Sequence, residues 1–195
     1  MSLDSARIVC TGCDYETREV YRPIVIRYMT ANGNAVETGR AKGWCFDCAG
    51  YADIEDIDPE VLGAALIAKE CERAEADQRR IALSHGFVQR LRNRTERGNL
   101  RCGIRWLDDE IAVLRELLGI ARNRRSKARC LRCWSASTAS LSFDPQDDIA
   151  RDFRHGCGGH LRIIHDHAGP RFFFRRKTYV LNEEGECLGE ELENT

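Results

Sequence analysis

Four short stretches hold the residues able to do chemistry: CTGC at 10–13, CFDC at 45–48, CLRC at 130–133 and HGCGGH at 155–160. Each sets two soft or borderline donors a few residues apart in a sequence that favours a turn. At C-x2-C spacing two thiolates reach one ion, and two such turns complete a tetrahedral site. Cys10, Cys13, Cys45 and Cys48 read as one all-thiolate zinc site, with 31 residues between the pairs. Cys130, Cys133, Cys157 and His160 read as a second, with imidazole replacing one thiolate and 23 residues separating Cys133 from Cys157. His155 is the rival fourth ligand; the x2 spacing of the other three turns favours His160. Gly158 and Gly159 suit a turn that needs positive φ and close backbone approach to sulfur.

Both sets offer four protein ligands, whereas a catalytic zinc keeps an open position for water beside a carboxylate base. H-E-x-x-H is absent, and so is the deaminase pattern H-x-E followed by P-C-x-x-C. Two structural zinc ions in a chain that is not an enzyme are the expectation.

The elements that must position these turns are short. Ile24, Ile26 and Tyr28 alternate with Val25, Arg27 and Met29, a strand pattern, and Asn32-Gly33 supplies a hairpin turn. After residue 160 the order reads strand, Gly169-Pro170 turn, long strand, NEEGE turn and closing strand. Phe172 and Phe174 read as one strand face of the core, and His165 and His167 as polar residues near a strand end. Cys187 and Cys71 read as small packed residues, and Cys102 as an unpaired loop thiol.

CTGC…CFDC and CLRC…CGGH, with hairpin-forming sequence between or after them, resemble the zinc-ribbon superfamily over roughly residues 8–52 and 128–188. The resemblance implies small β modules that bind nucleic acid or a partner protein in transcription, replication or translation. It implies no shared activity.

The middle of the chain lies outside that resemblance and reads as helical. Asp58 can cap a helix, with Pro59 at its first position and Ile57 placed to staple onto Leu62. Leu62, Ala65 and Leu66 form a narrow stripe, and the helix ends or bends at Ser84-His85-Gly86. A second helix is expected from near Asp108, with Ile111, Leu114, Leu118 and Ala121 on one face, after a loop RGNLRCGIRW. The fold class is therefore α+β, two small β zinc-ribbon modules flanking a helical hairpin. The expected domains are 1–55, 56–127 with a basic loop, and 128–195 with an acidic tail.

Net charge is −1, so the whole molecule is no bulk polycation, but its charges fall in blocks. Residues 53–77 are acidic, 79–105 carry eight arginines against Glu96, and 122–132 are basic without an acid. These blocks either neutralise one another or present a basic surface. The second reading makes Arg92, Arg94, Arg97, Arg101, Arg105, Arg122, Arg124, Arg125, Lys127 and Arg129 a phosphate-binding set. Trp106 and Trp134 bracket it, placed to stack on bases or to pack against the ribbons. The function expected is nucleic-acid binding, DNA in the first instance, as a small subunit of a larger complex. The alternative is a protein-interaction adaptor. Ten cysteines without a secretion signal fit a reducing cytoplasm, and no apolar run is long enough for a membrane helix. Lysine occurs only at 42, 69, 127 and 177, an arginine bias that fits a GC-rich bacterial genome.

Overall fold

The computed structural model describes residues 5–20, 23–84, 92–166 and 176–193. The Gly169-Pro170 turn, Phe172, Phe174, His167 and His85 lie outside them. Two compact units result, one from residues 1–56 with 124–195 and one from 57–123. The chain is α+β, with three small sheets and a helix pair.

The first unit is built from strands too short to bury a face alone. In one sheet β1 (Ser5–Cys10) lies between β2 (Glu16–Val20) and β9 (Leu161–Asp166), with β8 (Ile149–Ala150) on the far edge of β9. In the second, β3 (Ile24–Met29) pairs with β4 (Ala35–Thr38) and runs parallel to β10 (Arg176–Asn182), which pairs with β11 (Cys187–Glu193). In the third, β5 (Arg40–Cys45) is flanked by β6 (Gly50–Glu55) and β7 (Thr138–Ser140). Every sheet therefore takes strands from both ends of the chain. The two terminal segments, expected as separate ribbons, are one unit.

Local signals act as their chemistry dictates. Gly33 turns β3 into β4 at φ 78°, and Gly185 turns β10 into β11 at φ 74°. Ile26 and Tyr28 alternate into the core beside Tyr179 and Leu181 of β10. Ala6, Ile8, Trp44, Phe153, Leu161 and Ile163 form a second apolar cluster around the 10–13 turn. Cys187 is exposed on the edge strand β11 rather than packed.

The second unit is a helical hairpin. α1 (Pro59–Ala82) starts at Asp58, whose carboxylate accepts from the amides of Glu60 and Val61, with Pro59 at its first position. α2 runs Arg94–Asn123, so RGNLRCGIRW is helix and not loop. Gly98 and Gly103 look like turn residues, each costing about 1 kcal/mol against Ala in a helix. The repeat Leu100, Ile104, Leu107, Ile111 outweighs them, with the last two buried. Ion pairs cross at Arg79–Glu96, Arg73–Asp108, Lys69–Glu110 and Glu70–Arg115. As α1 numbers fall, α2 numbers rise, so the helices are antiparallel. Only Leu62 is buried on α1, and Cys71 is exposed.

Candidate metal centres

Two groups of four donors converge, each with all ligand atoms within 4.8 Å of one another: Cys10, Cys13, His155 and Cys157, and Cys45, Cys48, Cys130 and Cys133. Each group could hold a metal ion. The turns are paired differently from the sequence expectation. CTGC joins the 155–159 turn, and CFDC joins CLRC.

Strand pairing dictates the exchange. β1 and β9 run antiparallel with Cys10 opposite Leu161, which lays the 10–13 turn beside the 155–159 turn. Thr11 N donates to His160 O at 2.9 Å, and His160 N to Thr11 Oγ1 at 2.9 Å. Gly12 and Gly159 then meet backbone to backbone. A Cβ on Gly159 would lie 2.6 Å from Gly12 N and 2.8 Å from Cys10 Sγ, so this approach requires glycine. At the other centre Cys45 lies opposite Thr138 of β7, and Cys130 bridges Ile54 of β6. Leu131 N donates to Asp53 O at 2.9 Å and Glu55 N to Arg129 O at 3.0 Å, seating CLRC against β6.

His155, not His160, completes the first group. Its Nδ1 lies 3.3 Å from Cys157 Sγ and 3.4 Å from Cys13 Sγ, with Cys10 Sγ 3.3 Å from Cys157 Sγ. The ring is held edge-on to Trp44 at 5.1 Å between centroids and tilted on Tyr15 at 5.2 Å. His160 immediately precedes β9, and its Nδ1 lies 3.2 Å from Ala150 O and 3.1 Å from Phe153 O, committed to backbone carbonyls. The x2 rule fails because the His160 ring is turned to the Ala150 and Phe153 carbonyls, away from the thiols. The turn closes earlier, through Gly158 N on His155 O and His155 N on Gly159 O.

In the second group Cys45 and Cys133 Sγ lie 3.5 Å apart, and Cys48 and Cys130 Sγ 4.0 Å apart. One backbone amide per turn reaches the sulfur at 3.4–3.5 Å: Gly12 to Cys10, Cys48 to Cys45, Arg132 to Cys130 and Gly159 to Cys157. All ten cysteines are free thiols.

Crowded sulfurs cannot all carry charge without a cation. Hydrogen bonding to His155, helped by the Gly159 amide, brings the Cys157 thiol down to about 6. The Ser135 amide lowers Cys133, while donating to the Cys133 sulfur pushes Cys48 up and burial raises Cys130. A bound cation removes this conflict. Cys10, Cys45 and Cys130 are buried while Cys13, Cys133 and Cys157 face solvent, so each ion would sit at the surface of the first unit.

The arginines expected to face phosphate divide three ways. Arg92, Arg94, Arg101, Arg105, Arg122, Arg125 and Lys127 are exposed, and Arg97 is half-buried. Arg124 is internal: its guanidinium and the Glu55 carboxylate are 2% and 0% exposed, joined by two 3.0 Å hydrogen bonds. Arg129 is turned inward, with Nη1 on Trp134 O at 3.2 Å. Those two leave the set. Nor is the remainder continuous, because the stretch of α2 from Arg105 to Arg122 spans about 25 Å and carries Asp108, Asp109, Glu110 and Glu116. Trp134 is half-buried edge-on to Tyr179, whereas Trp106 is 59% exposed with the Lys69 ammonium 5.3 Å over its ring.

A scan against protein-family models, a search of curated proteins and a search of solved structures each found no match. Among the described residues no helix is long and apolar enough to cross a membrane.

Proposed function

We propose that both centres hold zinc as structural ions and that the helical hairpin binds nucleic acid, DNA in the first instance, through α2. Zinc suits the donor sets. A Zn–S bond of about 2.3 Å in tetrahedral geometry sets sulfurs about 3.8 Å apart, close to the 3.3–4.0 Å found here. Four protein donors at each site, His155 closing the first, leave no open position for substrate, so neither ion would be catalytic.

One observation carries the nucleic-acid reading. Arg94, Arg97, Arg101 and Arg105 recur at intervals of three and four residues, which places them along one side of α2. None has an ion-pair partner among the described residues, whereas Lys69, Arg73, Arg79 and Arg115 each pair across the hairpin. The row covers about 16 Å of helix, long enough to follow successive phosphates of one strand.

The test is binding to a labelled DNA duplex across a salt series. Four phosphate contacts give a log–log slope of about −3.6, or roughly a hundredfold loss of affinity between 50 and 200 mM salt. Arg101→Glu with Arg105→Glu should halve that slope at least. No binding at low salt, or a slope unmoved by those changes, sinks the reading.

A further inference from the structure

The two centres differ in what faces solvent. At the first, Cys13 and Cys157 are exposed and only Cys10 is buried, at 8% exposure. At the second, Cys133 is exposed, Cys48 is half-buried, and Cys45 and Cys130 are wholly buried. A small oxidant therefore meets two of three thiols at one centre and one of four at the other, and accessible thiolates are the ones it attacks. Cys157 also has a second thiol in contact, its Sγ lying 3.3 Å from Cys10 Sγ. The backbones already touch at Gly12 and Gly159, each two residues from one of these cysteines. A disulfide, which needs Cα atoms about 5.5–6 Å apart, asks little of the main chain here.

What each centre keeps after two thiols have joined decides the outcome. A Cys10–Cys157 bond leaves Cys13 and His155, one thiolate and one neutral imidazole, neither of them buried. That is half the charge of a divalent cation and half of a tetrahedral shell. At the second centre the nearer pair, Cys45 and Cys133 at 3.5 Å, would leave Cys48 and Cys130. Those two thiolates still match the cation's charge, and Cys130 is out of reach of solvent. Resting on the zinc reading of both centres, we propose that Cys157 is a site of reversible oxidation by hydrogen peroxide. Its bond to Cys10 frees the metal of this centre while the other centre keeps its own. The Cys157 thiolate attacks one peroxide oxygen and the O–O bond breaks, giving a sulfenic acid and a hydroxide. The Cys10 thiolate then attacks the Cys157 sulfur and displaces a second hydroxide. Two thiolates have given two electrons to the peroxide, and one S–S bond has formed. The paired turns stay together, because the hydrogen bonds between Thr11 and His160 involve no thiol.

The test uses the full zinc-loaded chain carrying Cys71→Ser, Cys102→Ser and Cys187→Ser, which removes the three exposed thiols outside both centres. Zinc is counted with a chromophoric chelator after limited hydrogen peroxide and in an untreated control. Linked peptides are mapped by mass spectrometry without reduction. One of two equivalents should be lost, with Cys10 joined to Cys157 and the four thiols of the second centre free. Dithiothreitol and added zinc should restore the lost equivalent. Fewer than two equivalents before peroxide would remove the zinc reading and this proposal with it. With two present at the start, retention of both, parallel loss of both, or a bond from Cys10 to Cys13 in place of Cys157 would overturn the proposal alone.

Discussion

Arg124→Ala tests the joint at the root of the helical unit. Glu55 ends β6 just before α1, and Arg124 follows α2 directly. Each carboxylate oxygen of Glu55 accepts two bonds. One takes Tyr28 Oη at 2.7 Å and Arg124 Nη1 at 3.0 Å; the other takes Arg124 Nη2 at 3.0 Å and the Arg129 amide at 2.5 Å. Burial first, then the carboxylate's charge, pushes the Tyr28 hydroxyl far above its ordinary range, so it stays a donor at all working pH values. Removing the guanidinium leaves a buried carboxylate with two neutral donors and no countercharge. Breaking one side of such a pair costs about 3–5 kcal/mol, which in a unit of this size lowers Tm by roughly 10–20 °C. Thermal unfolding of the zinc-loaded protein by circular dichroism measures it. Glu55→Gln combined with Arg124→Met should cost about 1–3 kcal/mol less than the sum of the single changes, because the pair is coupled. A single-variant loss under about 1 kcal/mol, or strict additivity, would refute the reasoning and return Arg124 to the surface.

Metal stoichiometry distinguishes the two possible pairings of the turns. Cys45→Ser combined with Cys130→Ser should lose one equivalent of zinc, since both thiols face the same ion; loss of two would restore the sequence-based pairing. Gly159→Ala should lose the other ion and leave the Cys45 site loaded, and full metal content would show that the Gly12–Gly159 contact can relax. His155→Ala should release one equivalent where His160→Ala should not. The pH dependence follows from Cys157, whose thiol titrates below its usual range, near 6. A lowered thiol contributes its full stabilisation above the ordinary pKa near 9 and loses it as pH falls through 6. Because protons compete with the metal for this thiolate, occupancy of this centre should fall as pH is lowered into the acid range. His155→Gln should raise the midpoint of release, read by a chromophoric chelator; an unchanged midpoint would separate His155 from the thiol.

Much of this architecture is written locally and some of it cannot be. The Asp58-Pro59 start, the Asn32-Gly33 and Gly185 turns and the four donor-bearing turns depend on neighbours within a few residues, and the sequence shows them. Which turn faces which depends on β1 finding β9 and β5 finding β7, pairings across more than 90 residues that no spacing rule encodes. Spacing favours His160 over His155, and only the fold, which gives the His160 ring to the Ala150 and Phe153 carbonyls, reverses that preference. The onset of α2 at Arg94 was hidden by two glycines that packing overrides. Arg124 looked like one more member of a basic run because its countercharge lies 69 residues upstream.

The joint at Glu55 and Arg124 also bears on the order in which the chain can assemble. Cys48 and Cys130 are 82 residues apart, and a flexible chain must close that whole loop before both can share an ion. The hairpin between them packs α1 against α2 within residues 57–123 and can form as soon as its own residues exist. Once formed, it holds its two stems together and shortens the flexible path to about 15 residues. By the logarithmic dependence of closure entropy on length, that spares roughly 1.5 kcal/mol in forming the second centre. The insertion thus works as a splint: it prepares one metal site before any metal arrives, while the centre at Cys10 must wait for residues 155–157 to be made.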